Sequence, residues 1–199
     1  MIAALLMAAA PPPLRTDKPV GLISATDYPQ RAIDKEEEGP VAFKALVAPD
    51  GTVDKCTIMV SSHYRDLDDA TCTLVKGRAR FAPAKDASGN PMYGVYKAVI
   101  TWSLGNVISG GLDPELELQI NQAPAGVKLP IVMTMSYWTR PDGTADNCKL
   151  DEHSAAAPPV LAELACQSIL AQPADVITNS HGQPVGASNT MTVRFSLDH

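Results

Sequence analysis

Apolar and polar positions alternate with a period of two along three stretches of the first half of the chain, the pattern of half-buried strands. Val41, Phe43, Ala45 and Val47 fall on one side of the first stretch. Cys56, Ile58 and Val60 share a face of the second, which runs from Val53 to Ser61. From Asp66 the period becomes helical, with Leu67, Ala70, Thr71, Leu74, Val75 and Arg78 near one stripe and Cys72 at its flank. Alternation returns from Met92 to Leu104 and turns Tyr96, Ala98, Ile100 and Trp102 toward that helix. Between the first two stretches, Pro49-Asp50-Gly51-Thr52 reads as a hairpin turn, because proline presets φ and glycine supplies φ > 0. The predicted unit is β-β-α-β, a three-stranded antiparallel sheet with one helix packed on it.

The same order recurs downstream. Ile131, Met133, Met135 and Tyr137 alternate, Pro141-Asp142-Gly143-Thr144 repeats the turn, and Cys148 and Leu150 share a face of a return strand. A helix is expected from about Pro159 to Leu170, with proline tolerated in its first turn. Met191, Val193, Phe195 and Leu197 alternate in a last strand from Val185 to Leu197. Equivalent positions lie about 90 to 94 residues apart, a period that indicates two copies of a small domain and not a solenoid. The expected class is therefore α+β, with two tandem β-β-α-β domains at 18–104 and 127–199. Residues 105–126 read as a linker with one short strand at Leu116 to Ile120.

Composition narrows the function. The net charge is −6 and no basic stripe or Arg-rich helix is present, which argues against a nucleic-acid partner. Glu36-Glu37-Glu38 reads as a solvated face. Residues 1–17 form an apolar, signal-like segment, Met1 to Ala10, followed by Pro11-Pro12-Pro13 and a short leader. No Lys or Arg precedes the run, and it is shorter than the ~20 residues that span a bilayer. Membrane association is thus expected only if the true start lies upstream.

Cys56 and Cys72 stand 16 positions apart, and Cys148 and Cys166 stand 18 apart, one pair per copy. One disulfide in each copy, made in an oxidising compartment, is the leading reading. Buried free thiols are the alternative, and zinc is the weakest reading because the short CxxC spacing of closed sites is missing. His63, His153, His181 and His199 sit in no HExxH or Gly-x-Ser-x-Gly context, and Gly110-Gly111 opens no phosphate-cradling loop. The chain reads as a binding protein and not an enzyme, with no catalytic residue, metal, cofactor or small-molecule substrate implied.

Tyr28-Pro29-x-Arg31-Ala32, Gly39-x-Val41, Val47-x-Pro49-Asp50-Gly51-x-Val53-Asp54, Ser61-Ser62, Leu67-Asp68-x-Ala70, Arg80-Phe81-x-Pro83 and Gly89-x-Pro91 follow one another in the first copy. In that order and spacing they resemble the carboxy-terminal domain family of TonB, the energy transducer of Gram-negative bacteria, over about Asp27 to Leu104. The paired cysteines are similar to a variant of that family with one cysteine on the second strand and one on the helix. The second copy departs from the pattern: Gln122-Ala123-Pro124-Ala125 stands where Tyr-Pro would be, and Leu170-Ala171-Gln172 stands where Arg-Phe would be.

The resemblance implies a periplasmic, exported protein of the cell envelope whose sheet edge pairs with an extended segment of a protein partner. In the family that segment is the TonB box of an outer-membrane receptor, and the pairing is β-augmentation. It points to the last strand of the first copy as the edge, with Tyr93, Val95, Lys97, Val99 and Thr101 as outward or edge residues, and to Tyr28, Pro29 and Arg31 beside it. Core-and-surface alternation explains the strand pattern as well, and a structural turn explains Tyr28-Pro29 as well. A tether for energy transduction is not seen in the sequence. The alternative to a receptor-binding module is a non-energised scaffolding protein that self-associates through its tandem domains.

Overall fold

The computed structural model describes residues 22–86, 88–112, 114–152, 154, 156–173 and 175–198. The signal-like segment and the leader to residue 17 lie outside the described residues, as do His153 and His199. In chain order the elements are α1 (Gln30–Asp34), β1 (Gly39–Val47), β2 (Val53–Val60), α2 (Arg65–Arg78), β3 (Ala84–Lys85), β4 (Pro91–Met92) and β5 (Gly94–Ser103). They continue with β6 (Asn106–Gly110), β7 (Leu116–Ile120), β8 (Ile131–Thr139), β9 (Ala145–Leu150), α3 (Pro159–Ala171) and β10 (Ala187–Leu197). The protein is α+β, as its patterning predicts.

Alternation builds the first half. Val41, Phe43, Ala45 and Val47 of β1 and Ala98, Ile100 and Trp102 of β5 are buried against Leu67, Thr71 and Val75 of α2. The Trp102 indole N–H donates to the Thr71 hydroxyl at 2.9 Å, and that hydroxyl donates to the Leu67 carbonyl, so both polar groups among these apolar side chains are satisfied. Asp68, in the first turn of α2, accepts from the Ser62 amide and from the Ser61 and Ser62 hydroxyls, which fixes the entry of the chain into the helix.

Val60 departs from its expected face. It is 59% exposed, because the β1–β2 register shifts between Ala42↔Val60 and Phe43↔Ile58. The extra residue of that bulge reverses the alternation.

Both turns use one device. Asp50 accepts from the Thr52 amide and hydroxyl at 2.9 and 2.7 Å, and Asp142 accepts from Thr144 in the same way. The threonine hydroxyl, then its amide, hold each aspartate carboxyl below the usual carboxylate range. In the second half, Met133, Met135, Val193 and Phe195 pack on Leu161, Ala165 and Ile169 of α3. Disulfides Cys56–Cys72 and Cys148–Cys166 tie β2 to α2 and β9 to α3.

The expectation of two separate three-stranded sheets needs correction. Eight of the strands form one mixed sheet in the order β2-β1-β5-β10-β8-β9, with β6 beside β5 and β7 beside β10, while β3 and β4 pair with each other. The expected strand at Leu116–Ile120 is present as β7, parallel to β10. The rest of residues 105–126, expected as a linker, also supplies β6, antiparallel to β5.

Register also fixes which way the helices lie. Gly94 pairs with Ser188, the bridge that joins the halves in parallel. Gly94 shares the α2 side with Ala98 and Trp102, while Ser188 lies opposite Asn189, Met191 and Val193 of the α3 side. Hence α2 and α3 cover opposite faces of the sheet. The face of β1 and β5 turned away from α2 is continuous with the α3 face of β8 and β10.

Replacing Cys72 with Ala reopens a closure of 16 residues and should lower the unfolding free energy by about 3 kcal/mol in denaturant titration. A Gly51→Ala change should cost about 2 kcal/mol or more by the same measurement, since Gly51 holds φ +81 and a Cβ there would meet the Phe81 carbonyl oxygen at 2.3 Å.

Candidate functional site

β5 and β10 run parallel from their single bridge and then diverge like a fork. Glu115, from the segment between β6 and β7, closes it. One carboxylate oxygen accepts from the Lys97 ammonium at 2.6 Å, and the other accepts from the Thr192 amide at 3.3 Å. The Glu115 amide donates to the Thr192 carbonyl, and Lys97 also donates to the Thr190 carbonyl. The Lys97 and Glu115 side chains are only 12% and 20% exposed. Their attraction is therefore screened less than that of a surface pair.

On the face shared by the back of β1 and β5 and the front of β10 lies a groove. It comprises two adjoining cavities of about 340 and 280 Å³ that share Lys44, Asp175 and Ile177. Pro173, Asp175, Val176, Ile177 and Thr178 form its roof. Three anchors hold that roof on the first half. The Lys55 ammonium donates to the Thr178 hydroxyl at 2.8 Å. Asp54 accepts from the Ser180 amide and hydroxyl. Ile177 and Val185 pack with Leu46, Val95 and Ala187. Tyr137 lines the second cavity, and burial, followed by the charges of Glu115 and Asp175, raises its hydroxyl well above the ordinary tyrosine value. It remains a neutral hydroxyl at any physiological pH.

The expected site residues are divided between the two faces. Tyr28 is buried, stacks edge-on against Trp102 with ring centroids 5.2 Å apart, and donates to the Glu37 carbonyl at 2.6 Å. Pro29 precedes α1, and Arg31 extends into solvent, 77% exposed, with Asp66 at 3.5 Å. Val95 and Lys97 line the groove on the other face, and Tyr93 packs beside them.

Val99 and Thr101 pair with Gly110 and Ile108 of β6. The expectation that β5 is a sheet edge is thus corrected: β1 pairs along its whole length, and β10 and β6 take the two ends of its other side. Val95 is buried, not outward, because the roof covers it. Lys44, Lys55, Glu115 and Asp175 were not singled out from sequence; only the alternation placing Lys44 opposite the core residues of β1 hinted at them.

Among the described residues no group of His, Cys, Asp or Glu is placed to hold a metal ion, and no helix is long and apolar enough to cross a membrane. A Glu115→Ala change leaves Lys97 without its counter-charge in a confined site, with the Thr190 carbonyl still accepting from it, and should cost about 1–2 kcal/mol. Removing the exposed Glu117, 3.0 Å from Arg194, should cost about 0.5 kcal/mol or less in the same denaturation series.

No curated protein and no solved structure matched the chain. The two disulfides fit an exported protein. Residues 24–104, the stretch from the turn before α1 through the end of β5, match the family model described as Gram-negative bacterial TonB protein C-terminal. The match covers less than half of the chain and makes residues 24–104 similar to the TonB C-terminal family, whose members are periplasmic protein-interaction domains.

Proposed function

We propose that the protein is a periplasmic interaction module that takes up an extended segment of an envelope partner along the outer side of β5, with β6 giving way to the incoming strand. The carrying observation is the way β6 occupies that side. It runs antiparallel to Val99–Ser103 through the backbone ladder, but four of its five residues are exposed and only Val107 is half-buried against the first core. A strand held by backbone bonds and one apolar side chain is exchangeable. An incoming strand offers the same N–H and C=O groups, so the bonds lost are replaced.

The resemblance over residues 24–104 makes the TonB box of an outer-membrane receptor the first partner to try. Arg31 stands exposed on the α2 side as a secondary contact. Tyr28 supports the site from below by packing on Trp102. In this reading the second half is a brace for β5 and not a second receptor-binding copy.

Synthetic peptides covering the amino-terminal segments of TonB-dependent outer-membrane receptors provide the test. Titrated into the labelled full chain, a binding peptide should shift the amides of Val99–Ser103 and erase the cross-strand contacts between β5 and β6. A Thr101→Cys/Ile108→Cys lock, built on residues that face each other in the ladder, should abolish binding when oxidised and restore it when reduced. Binding that leaves β6 in place, or that the oxidised lock does not affect, would contradict the proposal.

A further inference from the structure

Glu38 stands at the head of β1, one step beyond the pair Gly39↔Trp102. From there its side chain reaches past the end of β5 to the two-residue turn, Leu104-Gly105, that leads into β6. One carboxylate oxygen accepts from the Leu104 amide and, at 3.2 Å, from the Ser103 hydroxyl. The contact fixes the point where β6 leaves β5.

The backbone beneath Glu38 is pinned on both sides. The Glu37 amide donates to the Ala32 carbonyl at 2.9 Å, and the Glu37 carbonyl accepts from the Tyr28 hydroxyl at 2.6 Å. Tyr28 itself is buried edge-on against Trp102. Burial, then the charges of Glu38 and Glu37, raise its hydroxyl above the ordinary tyrosine value, so it stays a donor. A line of contacts therefore starts in the core at Trp102, passes through Tyr28 and Glu37, and ends with Glu38 on the turn. The far end of β6 is held less closely. It passes through Gly110 and Gly111, where a Cβ would meet nothing within 4 Å, before the Glu115 amide anchors on the Thr192 carbonyl.

We propose that Glu38 and Tyr28 form a catch on β6: Glu38 holds the β5–β6 turn, Tyr28 positions Glu38 through the backbone of Glu37, and the outer side of β5 opens when this contact breaks. The use of the catch rests on the strand-exchange reading of β6. Hydrogen bonds to a carboxylate are stronger than neutral ones. Losing them at this exposed turn should raise the open population about three- to tenfold.

Amide hydrogen exchange of the disulfide-bonded full chain reads the catch with no partner present. The ladder amides of β6 should exchange about three- to tenfold faster in Glu38→Ala, while those of β1 and β8 keep their parent rates. Glu38→Gln keeps an acceptor and Tyr28→Phe loses only the hydroxyl, so each should give a smaller rise. Tyr28→Phe added to Glu38→Ala should accelerate β6 no further, because both act through one contact. An unchanged β6 rate in Glu38→Ala, or equal acceleration of β1 and β8, would overturn the catch. Additive effects would remove Tyr28 from it. Receptor peptides that bind the parent chain should bind Glu38→Ala more tightly by the factor read from exchange, and equal affinity would overturn the gating role. Faster exchange of β6 with no peptide bound by either chain would support the catch and contradict strand exchange alone.

Discussion

The joining of the two halves along β5 and β10, closed at the fork by the ion pair between Lys97 and Glu115, is the constraint on which the rest of the structure depends. β5 and β10 share one ladder bridge, too few backbone bonds to define the junction of two small sheets. Glu115 reinforces the junction at the fork by binding Lys97 on one branch and the Thr192 amide and carbonyl on the other, beside the anchors of Lys55 on Thr178 and Asp54 on Ser180. With the fork held, β6 and β7 fill its two arms. The chain between the halves thereby becomes part of the sheet.

Parallel joining has a geometric consequence. Two β-β-α-β units set side by side in this way present their helices to opposite faces, so the polar back of the first half adjoins the helix-covered front of the second. That is why a lysine-bearing sheet surface lies beneath the roof of residues 175–178, and why Asp54 and Lys55 of the first half bond Ser180 and Thr178 of the second. The roof shields Val95 and Leu46, apolar residues that alternation sends to the face without a helix. Each half covers what the other leaves open.

Local structure was legible because it obeys short-range rules. Alternation located β1, β5, β8 and β10, and the helical stripe contained the buried line Leu67, Thr71 and Val75 of α2, although its last member, Arg78, is exposed. The cysteine pairs read as one bridge per half, which the structure contains. Legibility failed where distant chain decides. β6 has one half-buried residue in five and so no alternation to read. A one-residue bulge at Met59 to Val60 reversed a face that strict alternation fixes. The role of β5 as an interior strand rests on Ser188, Asn106 and Glu115, which sequence spacing does not connect to it. Tyr28 sits in the core through its contact with Trp102, while Lys44 became visible as a site residue only once the roof was placed over it.

The functional reading follows from this layout. Residues 24–104 match a family of interaction domains, and the outer side of their last strand is held by a strand with little buried surface of its own. The second half contributes the brace, the roof and one wall of the groove. All of this requires the two halves to be one body. Differential scanning calorimetry of the disulfide-bonded full chain tests that requirement most directly. The account predicts a single transition whose calorimetric and van't Hoff enthalpies agree, as for one cooperative unit. Two separate transitions, each with the enthalpy of about half the chain, would contradict it.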